Sequence, residues 1–300
     1  MLAALARHHW QIITVPVPLD YYEGVQPLIT GLIADGENPY TRSWQPMAAD
    51  VYPPLYNLFA APLSGAFDNS LLYHRLVTGL FIVATCLLCA AALRLRGTSW
   101  PYSLSAVALL YAALLYYATP VASTNGTGMF FFMASVLVPW LGEFSRRSLA
   151  WSILCGLLAF YSKQYFAAGL IFVAFYLFLA VSIRSAVYYA SSVALAVLVS
   201  LTLVHWSSPY FLDNTLWSVQ AAARLLVTSD AMVLQLGEFM MLYSALFLLV
   251  IFAAAKRWQG GARQAPTVNL RDLDAPFSDY RPDFLWLCFV AATFLIVLLL

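Results

Sequence analysis

The chain has 300 residues, of which 62% are hydrophobic and only 10% charged, with a formal net charge of +1. Soluble domains carry about 25% charged residues, so the composition excludes a soluble enzyme and offers no basic surface for nucleic acid. The apolar runs are continuous and do not alternate over about ten residues, which excludes a transmembrane barrel and predicts an all-α polytopic integral membrane protein.

Residues 2–19 predict a first membrane helix, but Arg7, His8 and His9 interrupt it. The remaining uncharged run, at 1.5 Å per residue, covers about 18 Å of a hydrocarbon core of about 30 Å. Pro16 and Pro18 then end any helix. This short start, and an apolar end at Leu298-Leu299-Leu300, predict that both termini are incomplete.

A polar segment follows from Asp20 to Asn69. Between Leu19 and Leu55 it holds Asp20, Glu23, Asp35, Glu37 and Asp50 against one basic residue, Arg42. Further spans are predicted at 71–93, 102–119, 127–141, 149–161, 165–183, 186–206, 237–255 and 284–300, about eight to nine in all. The pair 127–141 and 149–161 is shorter than a full crossing, which is tolerated where protein or a wet cavity covers the ends. The whole, 1–300, reads as one transmembrane domain, with a first outer loop at 20–69, a later outer loop at 207–236 and a cytoplasmic connector at 256–283.

Basic residues set the orientation. Arg94 and Arg96, Arg146 and Arg147, Arg184, and then Lys256, Arg257, Arg263, Arg271 and Arg281 fall in alternate loops. The positive-inside rule makes those loops cytoplasmic and turns the acidic loop outward. Cys86, Cys89, Cys155 and Cys288 all lie in apolar stretches and read as small buried hydrophobes, without a metal or redox role.

Five pieces in order carry a resemblance: Asp20-Tyr21-Tyr22-Glu23-Gly24, Gly36-Glu37-Asn38-Pro39-Tyr40, Tyr52-Pro53-Pro54-Leu55-Tyr56, Ser162-Lys163-Gln164, and the stretch from Asn214 to Arg224. Together they resemble the GT-C superfamily of polyprenyl-phosphate-sugar glycosyltransferases, on the protein mannosyltransferase and aminoarabinose transferase branch. The resemblance implies a GT-C-type helix bundle in the bacterial inner membrane with an extracytoplasmic active face. It implies an inverting transfer from a polyprenyl-phosphate-linked sugar donor to a lipid, glycan or protein acceptor, and it makes Asp20 the catalytic carboxylate, acting as base. The sequence departs from the pattern at Asn125, where a second acid is expected.

Read by themselves, the residues leave alternatives open. Asp20 stands at the membrane–water boundary, where partial burial raises a carboxyl pKa and suits a general base; an acid there can also simply solvate the interface. Glu23, three residues on, is expected to support the site by holding the acceptor or a cation; it can also be a simple solvated acid. Asp35, Glu37 and Asp50 could join a divalent metal, but their spacing matches no metal motif; metal binding is not favoured, with Asp20 and Glu23 as its weak candidates. Lys163 follows a short span and is expected to meet the lipid phosphate, with Gln164 adding amide contacts; snorkelling to headgroups is the alternative. His74 and Arg75 could meet the same phosphate, and snorkelling to the interface is the alternative for Arg75. Tyr40, Tyr52 and Tyr56 offer faces for a sugar ring, or belong to an aromatic belt.

Three functions compete. The first is the transferase, which needs no nucleotide fold and shows no glycine-rich phosphate loop. The second is a transporter or flippase for lipid-linked saccharides, which predicts charged or broken helices near the midplane. The third is an inactive fragment of such an enzyme.

Overall fold

The computed structural model describes residues 2–48, 50–115 and 120–218. The predicted spans at 237–255 and 284–300, the connector at 256–283 and most of the later loop lie outside the described residues. Among the described residues the chain is helical and contains no strand. The α-helices are α1 Leu2–Thr14, α2 Val25–Ala34, α3 Leu55–Ala60, α4 Ser70–Leu95, α5 Trp100–Leu114, α6 Asn125–Leu141, α7 Arg146–Ser162, α8 Ala168–Tyr176 and α9 Ile183–Ser207. The chain divides into two compact units, one of Met1–Leu170 with Ser192–Gln220, the other of Ile171–Ser191 with Ala221–Leu300.

Two helices, α4 with 26 residues and α9 with 25, are long and apolar enough to cross a membrane. Helix α9 exposes Leu195, Leu198, Leu203 and Trp206, an apolar surface of the kind lipid would cover. Helices α5 and α6 are shorter apolar helices of 15 and 17 residues; at 1.5 Å per residue they cover about 23 and 26 Å. The span predicted at 165–183 is broken: a 3-10 turn at Gln164–Ala167, then α8, then a π turn at Leu177–Val181.

The segment 20–69, expected as loop, contains α2 and α3. Helix α2 is apolar but flanked by acids, so its character was masked by its neighbours. It buries Ile29 and Leu32 against Ala48. It ends at Gly36, whose φ of +78° is open to glycine without strain. There the Glu37 N–H returns to the Leu32 carbonyl at 2.8 Å and the Gly36 N–H to Ile33 at 3.1 Å, a C-terminal lock that satisfies two helix-end carbonyls. The same lock closes α4 at Gly97, φ +84°.

Within the first unit, α4 packs on α5 and α6, α6 packs on α7, and α1 lies across α4. Close approach depends on glycine. A methyl at Gly128 of α6 would collide with the Phe166 ring, and one at Gly156 of α7 with Leu170. The polar ends separate. At one end Arg94 lies over Trp100 and Arg96 over Trp140, each at 4.5 Å. The segment 20–69 gathers at the other end, where α4 and α6 begin and α7 and α9 finish.

Candidate functional site

At that second end Lys163 follows the last residue of α7. Its backbone is extended, φ −160° and ψ 128°, so the helix stops and the side chain turns inward. Only 9% of the residue is exposed. Its Nζ donates to Oδ1 of Asn125, the first residue of α6, at 2.8 Å. The ammonium also lies over the Tyr52 ring at 4.3 Å and the Tyr165 ring at 4.9 Å, an arrangement in which the ring quadrupoles stabilise a desolvated cation. Burial lowers the Lys163 pKa to about 8, and the negative charge of Asp50 pulls it back up.

Asp50 is the complementary group. It is 3% exposed. The Tyr52 N–H donates to its Oδ1 at 3.0 Å, while Oδ2 has no hydrogen-bond partner. Burial raises its pKa to about 6, against the Tyr52 N–H, the Gln26 side chain and the Lys163 charge, which favour the anion. A carboxylate oxygen without a donor inside a protein is costly, and the Lys163 charge offsets part of that cost.

Beneath Asp50 runs a hydrogen-bond chain whose direction can be deduced. The Ser70 carbonyl, 2.7 Å from His74 Nδ1, can only accept, so Nδ1 carries the proton and Nε2 accepts. Thr30 Oγ1 therefore donates to Nε2 at 2.8 Å. Asn57 Nδ2 in turn lies 3.1 Å from Thr30 Oγ1 and 2.9 Å from Gln26 Oε1. Tyr56 donates to the His74 carbonyl at 2.8 Å. His74 and Tyr56 are fully buried in this frame, which removes them from the phosphate and sugar contacts expected of them.

Glu23 and Arg75 form the ion pair recorded among the described residues, with both side chains fully buried. Arg75 Nε and Nη2 reach Glu23 Oε1 and Oε2 at 2.7 and 2.6 Å. Arg75 Nη1 donates to the carbonyls of Ile12 and Val15, and Nη2 to that of Val17. Glu23 also accepts from the N–H groups of Leu19 and Ala122. All five guanidinium donors are thereby used. The contacts expected of Glu23 and Arg75 with substrate were read without this pair, in which both side chains hold the chain to itself. The Glu23 pKa is lowered, by the Arg75 side chain and by the two backbone donors, against the opposing effect of burial.

Other expected contacts are bracing. Gln164 donates through Nε2 to the Val51 carbonyl at 2.6 Å and to that of Thr215. Tyr40, 2% exposed, donates from its hydroxyl to the Tyr52 carbonyl at 2.9 Å and packs edge-on against Phe211. Asn38 ties the same segment to the Ser207 carbonyl and Ser208 Oγ. Asp20 is half-buried at the turn into the 3-10 helix Tyr21–Gly24, its carbonyl accepting the Glu23 N–H at 3.1 Å. Asp35 and Glu37 are exposed. No group of three His, Cys, Asp or Glu side chains placed to hold a metal occurs among the described residues.

The structure thus joins Lys163 to Tyr52. It adds two residues of which no such role was expected: Asp50, weighed only as a metal ligand, and Asn125, noted only as a departure from a pattern. The available signal for Asp50 was its setting between alanine and valine just before the rigid segment Tyr52-Pro53-Pro54. Comparison of the chain with family models, with curated proteins and with solved structures returns no match.

Proposed function

We propose that this protein is a membrane glycosyltransferase of GT-C type, a bundle of about eight to nine spans in a bacterial inner membrane. It moves a sugar from a polyprenyl-phosphate donor to a lipid, glycan or protein acceptor on the extracytoplasmic face. The observation that carries this reading is the buried Lys163 ammonium, held by Asn125, Tyr52 and Tyr165 at the end of the bundle where the acidic segment packs. An ionisable group at that position in so apolar a chain suggests a charged ligand. A lipid phosphate suits it in charge and in its access from the bilayer.

In the proposed reaction Asp20 takes the proton of the acceptor hydroxyl or amine. The acceptor oxygen or nitrogen bonds to the anomeric carbon from the face opposite the donor phosphate. The bond from that carbon to the phosphate oxygen breaks, its electron pair leaves with the lipid phosphate, and configuration inverts. Lys163 stabilises the charge growing on the leaving phosphate. Asp50, close enough to influence Lys163 electrostatically, keeps the ammonium protonated before the donor arrives.

The test is sugar transfer by purified protein, with a panel of radiolabelled polyprenyl-phosphate sugars and a membrane extract as acceptor. Asp20→Asn, Asp50→Asn and Lys163→Met run in parallel. Turnover lost in Asp20→Asn with donor binding intact supports the assignment, and Lys163→Met is expected to weaken donor binding. Turnover retained in Asp20→Asn but lost in Asp50→Asn moves the base to Asp50. No transfer with any donor, together with movement of lipid-linked sugar across vesicles, favours the transporter.

A further inference from the structure

We infer that the Glu23–Arg75 ion pair is a positioning device that fixes Asp20 relative to the Asn125–Lys163 pair; the catalytic consequence rests on the reading of Asp20 as base. Asp20 lies between two residues that the pair grips. On one side the Leu19 N–H donates to Glu23 Oε2 at 2.6 Å. On the other, Glu23 itself donates its N–H to the Asp20 carbonyl at 3.1 Å. Five residues, Leu19 to Glu23, therefore form a closed turn whose one charged closing group is the Glu23 carboxylate.

Arg75 anchors that carboxylate to the bundle. It stands one turn into α4, and its donors not bonded to Glu23 hold the carbonyls of Ile12, Val15 and Val17, where the chain leaves α1. Val15 and Val17 precede Pro16 and Pro18, and no helix continues there to satisfy those carbonyls. A guanidinium is the one side chain with five donors in a fixed plane, enough to hold a carboxylate and three carbonyls at once.

The same carboxylate reaches the second half of the site. The Ala122 N–H donates to Glu23 Oε1 at 2.7 Å. Ala122 is three residues before Asn125, whose own N–H approaches Ser123 Oγ at 3.4 Å, and whose side chain holds Lys163. One carboxylate thus binds both the turn bearing Asp20 and the turn that opens α6 with the partner of Lys163. A buried pair replaceable by apolar packing without loss of stability is here retained where two segments must keep register.

The experiment uses the full chain in lipid nanodiscs, with its four cysteines replaced by alanine and a nitroxide attached at Asp20→Cys or, as a control, at Leu109→Cys on the exposed face of α5. Arg75→Lys and Glu23→Gln are introduced in turn. The position-20 label is expected to gain a mobile component in both variants while the position-109 label is unchanged. In the chain retaining Asp20, Arg75→Lys is expected to lower kcat by about 10- to 100-fold, the scale of an ångström-sized misplacement, with the donor KM within about twofold. Position-20 spectra identical to the parent in both variants overturn the inference. Loosening of both labels together in both variants also overturns it, since the pair would then be a general structural bond. If Asp20→Asn retains transfer, the assignment of Asp20 as base fails, and the spectra still decide the positioning role.

Discussion

Asp50→Asn is expected to stabilise this protein at neutral pH. The carboxyl is raised from 3.8 to about 6, so between those values the folded state holds a proton that the unfolded state has released. Where the folded state binds more protons, stability falls as pH rises. The shift of about two pK units corresponds to a cost of about 3 kcal/mol, which builds up as pH rises from about 4 to about 6 and is absent below pH 4. Its physical origin is the desolvated carboxylate, one oxygen of which has no donor. Asparagine has the same shape and no charge, so the variant should escape most of this cost, a gain of about 1–3 kcal/mol at pH 7 after allowing for its unpartnered amide. The assay is equilibrium unfolding in mixed micelles from pH 4 to 7, reading the difference between parent and variant so that other carboxylates cancel. Lys163, lowered to about 8, titrates above this window. A parent-to-variant difference that stays constant from pH 4 to 7, or a variant less stable than the parent at pH 7, would refute the reasoning.

Three further outcomes are expected. Arg75→Met leaves the Glu23 charge and three carbonyls unpaired in the interior and should cost about 3–5 kcal/mol by the same unfolding assay, with Glu23→Gln added to Arg75→Met recovering part of it; a loss under 1 kcal/mol in the single variant would contradict the burial of the pair. Gly128→Ala drives a methyl into the Phe166 ring and should lower stability by about 1–3 kcal/mol through overpacking, whereas unchanged unfolding would mean that α6 stands further from the 164–167 turn. Tyr40→Phe removes the bond to the Tyr52 carbonyl and should cost about 1 kcal/mol with donor affinity within twofold; a larger loss of affinity would return Tyr40 to the ligand-contacting role expected from the sequence.

Much of the site's location was legible from the order of polar residues along an apolar chain. Lys163 stood out because a cation after a short apolar helix has few places to go, and it does stop α7 and turn inward. The motif 36–40 was visible as a unit, but each residue's task was not: Gly36 ends α2, Asn38 straps the segment to residues 207–208, and Tyr40 packs beneath Tyr52. Glu23 and Arg75 were read as separate substrate contacts because 52 positions of sequence lie between them, and nothing local records that they meet.

Composition and periodicity determined the helical, strandless character of the described residues and their two long apolar helices, because continuous apolar runs satisfy their own backbone without water as helices, whereas a closed barrel needs alternating ones. They also determined which loops carry the acids and which the arginines. Tertiary structure decided which of those charges are buried, which are paired and which lack a partner. Sequence spacing fixes the neighbours of a side chain within one helix, but the dielectric and the hydrogen bonds around Asp50, Lys163, Glu23 and Arg75 come from segments tens of residues away.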